Sequence, residues 1–213
     1  MKKILVLILA AFVISLFGGL AYADECGFAD VDPGFWAEDY ICAIFNDGIT
    51  VGCAQNPLRY CPHNLVNRAQ MAAFIVRAVE GEPPVNYCAT GSPFPDVPPD
   101  FWACRYIKRL FELGITTGYN DGTYRPNTIV NRAQMAAFIV RAVEGEPPDN
   151  YCATGSPFTD VSSNSRFCKY IKRLFELGIT VGCAQNPLRY CPHDPVNRAQ
   201  MAAFLARDRK SVV

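Results

Sequence analysis

The sequence predicts an all-α fold: three helix-loop-helix repeats packed into one pseudo-threefold six-helix domain, stapled by disulfides. Three observations lead there. The octapeptide NRAQMAAF occurs three times, beginning at Asn67, Asn131 and Asn197. Ahead of each copy, apolar residues recur at helical spacing. The 10 cysteines fall into pairs that follow the same repeat.

Residues 1–23 read as a secretory signal peptide, with Lys2 and Lys3, an apolar stretch from Ile4 to Leu20, and Ala21-Tyr22-Ala23 as the cleavage site. A chain cleaved there has no membrane span. Its formal charge falls from 0 to about −2 with the loss of the two lysines, which excludes the basic excess of a nucleic-acid binder. In an exported chain an even number of cysteines implies an oxidising compartment and disulfides.

Repeat one spans 24–84, repeat two 85–148 and repeat three 149–213, with the arginine of NRAQ recurring 64 and then 66 residues on. Repeats one and two share NRAQMAAFIVRAVEGEPP, two and three YIKRLFELGIT, one and three GITVGCAQNPLRYCPH. In repeat two, Trp102, Ala103, Tyr106, Ile107, Leu110 and Phe111 form one broad apolar stripe, which places Trp102 and its counterpart Trp36 in the core. Gly48, Gly114 and Gly178 stand where helix C-caps belong. Asn67, Asn131 and Asn197 read as N-caps, with Gln70, Gln134 and Gln200 three residues on, a capping-box arrangement. The second helix then runs to Gly81 or Gly145, where Gly-Glu-Pro-Pro links the repeats. One repeat buries too thin a core to stand alone, so the three must pack together.

The repeats also pair the cysteines. Cys53 and Cys61 match Cys183 and Cys191, and repeat two, two residues shorter there, lacks both, which predicts Cys53–Cys61 and Cys183–Cys191 bridges. The other six fall as Cys26/Cys42, Cys88/Cys104 and Cys152/Cys168, always 16 apart, and predict a leader pinned to its own first helix. Each bridge is worth about 3 kcal/mol in the chain-entropy model. Cys53, Cys61 and His63 lack the C-x2-4-C pairs of a zinc site, so no metal or cofactor is expected. Nor is catalysis: both histidines sit in Cys-Pro-His loops, no nucleophile-elbow or His-Glu-x-x-His pattern occurs, and Asp30, Asp96 and Asp160 read as caps or turn formers.

Taken together, FADVDPGFWAEDYI, FPDVPPDFWACRYI and FTDVSSNSRFCKYI, each followed by Gly-Ile-Thr-x-Gly and then by Asn-Arg-Ala-Gln, resemble the S-layer homology module. The resemblance covers about residues 28–207 and is closest in repeat two. It implies a three-module, non-enzymatic domain at the bacterial cell envelope. Grooves between modules would bind a cell-wall glycan, either an anionic secondary polymer or peptidoglycan. Arg68, Arg132 and Arg198 are the matching groove residues, with Gln70, Gln134, Gln200, Trp36 and Trp102 beside them. An arginine in the first turn of a helix offers a fork of donors beside the positive helix end, which suits a carboxylate. The family's Thr and Glu are Asn and Gln here, and Arg166 replaces the tryptophan of repeat three, which implies an inactive groove there. Only residues 208–213 follow the stretch that the resemblance covers, so self-assembly into a surface layer or filament is the alternative expectation.

Overall fold

A computed structural model describes residues 26–210; the signal-peptide reading at residues 1–23 lies outside them. The described chain is mostly helical, with six helices: α1 (Glu38–Asn46), α2 (Arg68–Glu80), α3 (Cys104–Glu112), α4 (Arg132–Val143), α5 (Cys168–Glu176) and α6 (Arg198–Lys210). The fold is not purely α. In repeats one and three the loop between the helices forms a small antiparallel hairpin, β1 (Ala54–Gln55) with β2 (Leu58–Arg59) and β3 (Ala184–Gln185) with β4 (Leu188–Arg189). Single 3-10 turns over Val85–Cys88 and Asp149–Cys152 carry the leaders of repeats two and three.

The local signals behave as their chemistry requires. Asn67 accepts the Gln70 amide at 2.9 Å while Gln70 accepts the Asn67 amide at 3.1 Å, so two orphan donors of the helix start are satisfied reciprocally. Asn131 and Asn197 do the same. At the other end of α3, Gly114 takes a φ of 71° and donates to the Phe111 carbonyl, and Ile115 donates to Leu110, closing a Schellman motif.

All five disulfides pair as the repeats predict: Cys26–Cys42, Cys88–Cys104, Cys152–Cys168, Cys53–Cys61 and Cys183–Cys191. The first three fasten each leader to its own first helix. Their Cα atoms lie 5.1–6.0 Å apart, the ordinary range for a bridge.

Helices pair across repeat boundaries. α2 packs on α3, α4 on α5 and α6 on α1, so each second helix covers the first helix of the next repeat, and the last covers the first. Between them the backbone closes a ring: Val66 donates to Val196, Val196 to Val130, and Val130 to Val66, at 2.9–3.0 Å. Ile41, Ile107 and Ile171 of the first helices and Met71, Met135 and Met201 of the second are fully buried in one continuous core.

Two sequence readings are corrected here. Trp36 and Trp102 are not core: α1 and α3 start two residues beyond them, at Glu38 and Cys104, and their side chains stay 56% and 54% exposed. The stripe kept its inner members, Ala103, Tyr106, Ile107 and Leu110, but lost its first, Trp102, and its last, Phe111, which is also exposed. Asp30, Asp96 and Asp160 are turn formers but do not cap helices. Each carboxylate reaches across its repeat to the loop ahead of the second helix, as when Asp96 accepts the amides of Tyr124 and Arg125 at 2.8 and 2.6 Å. The clamped residues Cys61, Arg125 and Cys191 all have a φ near 57°, a left-handed conformation in which side chains other than glycine's are strained.

Gly118 turns the same loop, with a φ of 73° that favours glycine. A Cβ there would meet the Phe94 ring and would stand 2.8 Å from the Thr123 carbonyl, whereas one at Gly122 (φ 79°) meets nothing within 4 Å. Gly122→Ala is expected to cost about 1–2 kcal/mol, the left-handed penalty alone. Gly118→Ala adds overpacking of about 1–3 kcal/mol to that. Thermal unfolding of the two variants side by side measures the difference; equal losses would show that the loop gives way around the new methyl.

Candidate functional site

The three NRAQ arginines are neither solvated nor paired with carboxylates. Arg68, Arg132 and Arg198 are 5–6% exposed, each buried against the loop of the following repeat. Arg68 donates its Nε to the Tyr124 carbonyl at 2.7 Å, Arg132 to that of Tyr190 at 2.7 Å, and Arg198 to that of Tyr60 at 2.6 Å. In return the three phenols donate to the backbone carbonyls of the same arginines, at 2.9, 2.8 and 2.7 Å. Each guanidinium also lies on the face of its tyrosine, 4.4–4.7 Å from the ring centre, and near a phenylalanine of the next second helix: Phe138, Phe204 or Phe74. Burial pushes all three phenols well above the usual tyrosine range, with the facing arginine only partly opposing it. Burial likewise lowers the Arg198 guanidinium. Arg132 and Arg198 each keep one buried Nη2 without a hydrogen-bond partner. An unmet donor of this kind costs about 1–3 kcal/mol unless something accepts from it.

The tyrosines escaped the sequence reading, though a signal existed. Tyr60, Tyr124 and Tyr190 survive in all three loops, LRYCPH, GTYRPN and LRYCPH, although the residues around them change.

A groove of about 690 Å³ opens between repeats two and three. One wall is the loop of repeat two, Thr116 to Asp121 with Arg125. The second is the face of α4 that carries Gln134, Phe138 and Arg141. The third is the approach to α5, from Ser163 to Tyr170, with Arg68 of repeat one reaching in. The structure thus brings together two of the expected ligand residues, Arg68 and Gln134, with Arg166, the residue that replaces the tryptophan in repeat three. The arginine serving the open loop is Arg68, handed over from the repeat before, and not Arg132 of the same repeat. Gln70, Gln134 and Gln200 are engaged by their own caps through Oε1.

The groove is cation-rich. Arg125 stacks on Tyr119 with 4.1 Å to the ring centre and pairs with Asp121 at 2.7 Å, and Arg68 lies 4.8 Å from the same ring. Lys169 pairs with Glu146 and Asp149, and Arg141 with Glu146. Glu146 is held down to about 2: partial burial opposes ionisation, but bonds from Arg141, Lys169 and Tyr170 outweigh it. The neighbouring Tyr170 phenol is pushed up to about 12 by burial and by that carboxylate. Among the described residues no carboxylate pairs with Arg68 or Arg166. Asp30 and Asp160 lie within 4.8 Å of the Cys53–Cys61 and Cys183–Cys191 sulfurs, which are bonded to each other and so offer no thiolate.

Helical repeats that complete one another across such grooves define the class, a disulfide-stapled repeat protein. Residues 93–136 and 157–202 match the family model of the S-layer homology domain. The chain is 29% identical to an S-layer protein of Bacillus licheniformis over 92% of its own length and 21% of that protein's. It is 28% identical to an endoglucanase of Bacillus sp. (strain KSM-635), covering 67% of this chain and 15% of the other. It is 30% identical to the S-layer protein EA1 of Bacillus anthracis, covering 55% and 13%. The chain thus spans about a fifth or less of these relatives' lengths. Two of its three repeats match the S-layer homology domain, its relatives include S-layer and cell-surface proteins of bacteria, and its place is the bacterial cell envelope. No described helix is long and apolar enough to cross a membrane.

Two outcomes follow from this geometry. Arg68→Ala removes a buried charge-assisted bond and three ring contacts, and is expected to cost about 2–4 kcal/mol by chemical unfolding; a loss under 0.5 kcal/mol would mean the hand-over to Tyr124 carries no stability. The depressed Glu146 contributes stability that is present above its ordinary value near 4.5 and is lost as pH falls toward about 2. Glu146 is half exposed, so the term is small, at most about 1 kcal/mol. Glu146→Gln should therefore lower the melting temperature slightly at neutral pH, leave it unchanged near pH 2, and so flatten the acid limb between about pH 4.5 and 2.

Proposed function

We propose that the chain is a non-enzymatic binding module of the cell envelope, holding cell-wall polysaccharide or peptidoglycan-linked glycan in grooves between adjacent repeats. The observation that carries this is the groove between repeats two and three, where the guanidiniums of Arg68 and Arg166 lack carboxylate partners beside an aromatic ring and a hydroxyl-rich wall. A glycan offers the complement: hydroxyls for Ser163, Asn164 and Ser165, and acidic substituents for the guanidinium forks. In this reading the repeats are three modules, 24–84, 85–148 and 149–213, arranged with pseudo-threefold symmetry. The cyclic α2–α3, α4–α5 and α6–α1 contacts and the valine ring support it. Arg68, Arg132 and Arg198 then form the groove floors, with Gln70, Gln134 and Gln200 beside them, and the exposed Trp36 and Trp102 stand at the rims of the other two grooves.

Self-assembly is the second reading. It is favoured by Leu65 and Ile129, which remain 45% and 42% exposed at the bridges where the repeats meet.

Because the arginines are buried, alanine there would confuse folding with binding; the rim tryptophans are the cleaner probe. The oxidised protein is expected to pellet with purified sacculi and to lose that ability once the secondary polymer is stripped. The Trp36→Ala/Trp102→Ala variant should pellet several-fold less while melting as the wild type does. A protein that stays in solution with both preparations refutes the wall-binding reading, and large ordered assemblies in light scattering without any glycan would favour self-assembly.

A further inference from the structure

The repeats differ in charge at the positions that line the groove between repeats two and three. Repeat correspondence places Trp102 and Arg105 at the rim between repeats one and two, and Trp36 and Asp39 at the rim between repeats three and one. The groove between repeats two and three has Arg166 and Lys169 in those places. The loops differ in the same sense: Arg125 stands where the other two repeats have the disulfide-bonded Cys61 and Cys191. The one groove therefore gathers Arg68, Arg125, Arg141, Arg166 and Lys169 against Asp121 and Asp149. Arg141, Lys169 and Arg125 already spend charge on Glu146, Asp149 and Asp121. Arg68 and Arg166 do not, and they come from different elements, Arg68 buried in the floor and Arg166 exposed on the approach to α5.

We propose that the groove between repeats two and three selects a polyanionic glycan segment, a saccharide bearing at least two carboxylate or phosphate groups, and that Arg166 determines this specificity. The inference rests on the glycan-binding reading above and reverses the expectation that replacing the tryptophan silences the groove. An aromatic rim offers a sugar an apolar face and is indifferent to charge. A guanidinium in its place offers a planar fork that matches a carboxylate or phosphate. With Arg68 holding one acidic group, Arg166 supplies the second contact, which a singly charged sugar cannot use. Attraction at an exposed guanidinium is screened by salt, so this groove's affinity falls with ionic strength while an aromatic rim's does not.

The test is calorimetric titration of the oxidised protein with three probes: tetragalacturonate for carboxylates, a short glycerol-phosphate oligomer for phosphates, and neutral chitotetraose. One strong, salt-sensitive site per chain is expected for at least one acidic probe, and the tighter of the two names the source of the anion. Arg166→Trp introduces the residue that the other repeats carry at this exposed place. It should weaken that site about tenfold, the worth of one charged hydrogen bond, and flatten its salt dependence. Arg166→Gln should weaken it similarly, and Trp102→Ala should leave it unchanged. The proposal is overturned if neither acidic probe binds, if chitotetraose binds as tightly, or if Arg166→Trp leaves affinity and salt slope alone. Sacculus binding that persists alongside such a null result sinks this inference only; acidic-probe binding without any sacculus binding sinks only the wall-attachment reading.

Discussion

The structure depends on a reciprocal hand-over between arginine and tyrosine. Each repeat sends the arginine that opens its second helix into the next repeat, where the Nε meets a tyrosine carbonyl and the guanidinium lies on the tyrosine ring. The same tyrosine returns its hydroxyl to the arginine's carbonyl. A buried cation is costly unless its donors and its charge are met. Here both halves of the exchange are met only by a neighbour, so no repeat satisfies itself. The order runs one to two, two to three and three to one, and the valine ring closes the same circle with its donors running the opposite way. The thin core of a single helix pair made mutual packing necessary, and this exchange makes it specific.

The loops that receive the arginines are closed in two ways. Repeats one and three use a disulfide across a small hairpin, Cys53–Cys61 and Cys183–Cys191. Repeat two uses a turn in which Asp121 accepts from Thr123 and pairs with Arg125, which stacks on Tyr119. Both forms present the same left-handed residue to the same aspartate, so the tyrosine arrives in the same place. They differ in what they show the groove. A disulfide is neutral, whereas the ionic turn leaves a cation and a carboxylate at the rim.

What could be read in advance follows from how local each interaction is. The capping boxes are three-residue affairs and the Gly-Ile helix ends five-residue ones, and the sequence states them outright. The disulfides are longer, yet the paired loss of two cysteines in repeat two and the constant spacing of 16 in the other six disclosed all five. The arginine partners were hidden, because Tyr124, Tyr190 and Tyr60 lie 56, 58 and 138 residues away, and within a repeat nothing shows that the partner belongs to the next. Trp36 and Trp102 misled for a different reason. They keep helical spacing to the stripe, but Ala37 and Ala103, with ψ near 0°, turn the chain just before the helix and swing the indoles to the surface.

Because the arginine is handed forward, the groove between repeats two and three draws on all three repeats. It takes its floor from repeat one, its loop from repeat two and its rim from repeat three. Two departures that look unrelated in the chain, the missing cysteines of repeat two and the missing tryptophan of repeat three, therefore meet in one place and act in one direction. Each adds an arginine to the same groove. Had the arginine stayed within its repeat, Arg132 would have faced the open loop; Arg166 meets that loop because α5 packs on α4 of the repeat before. A scaffold that is equal in its helices can in this way hold sites that differ in charge, without any change to the residues that keep the repeats together.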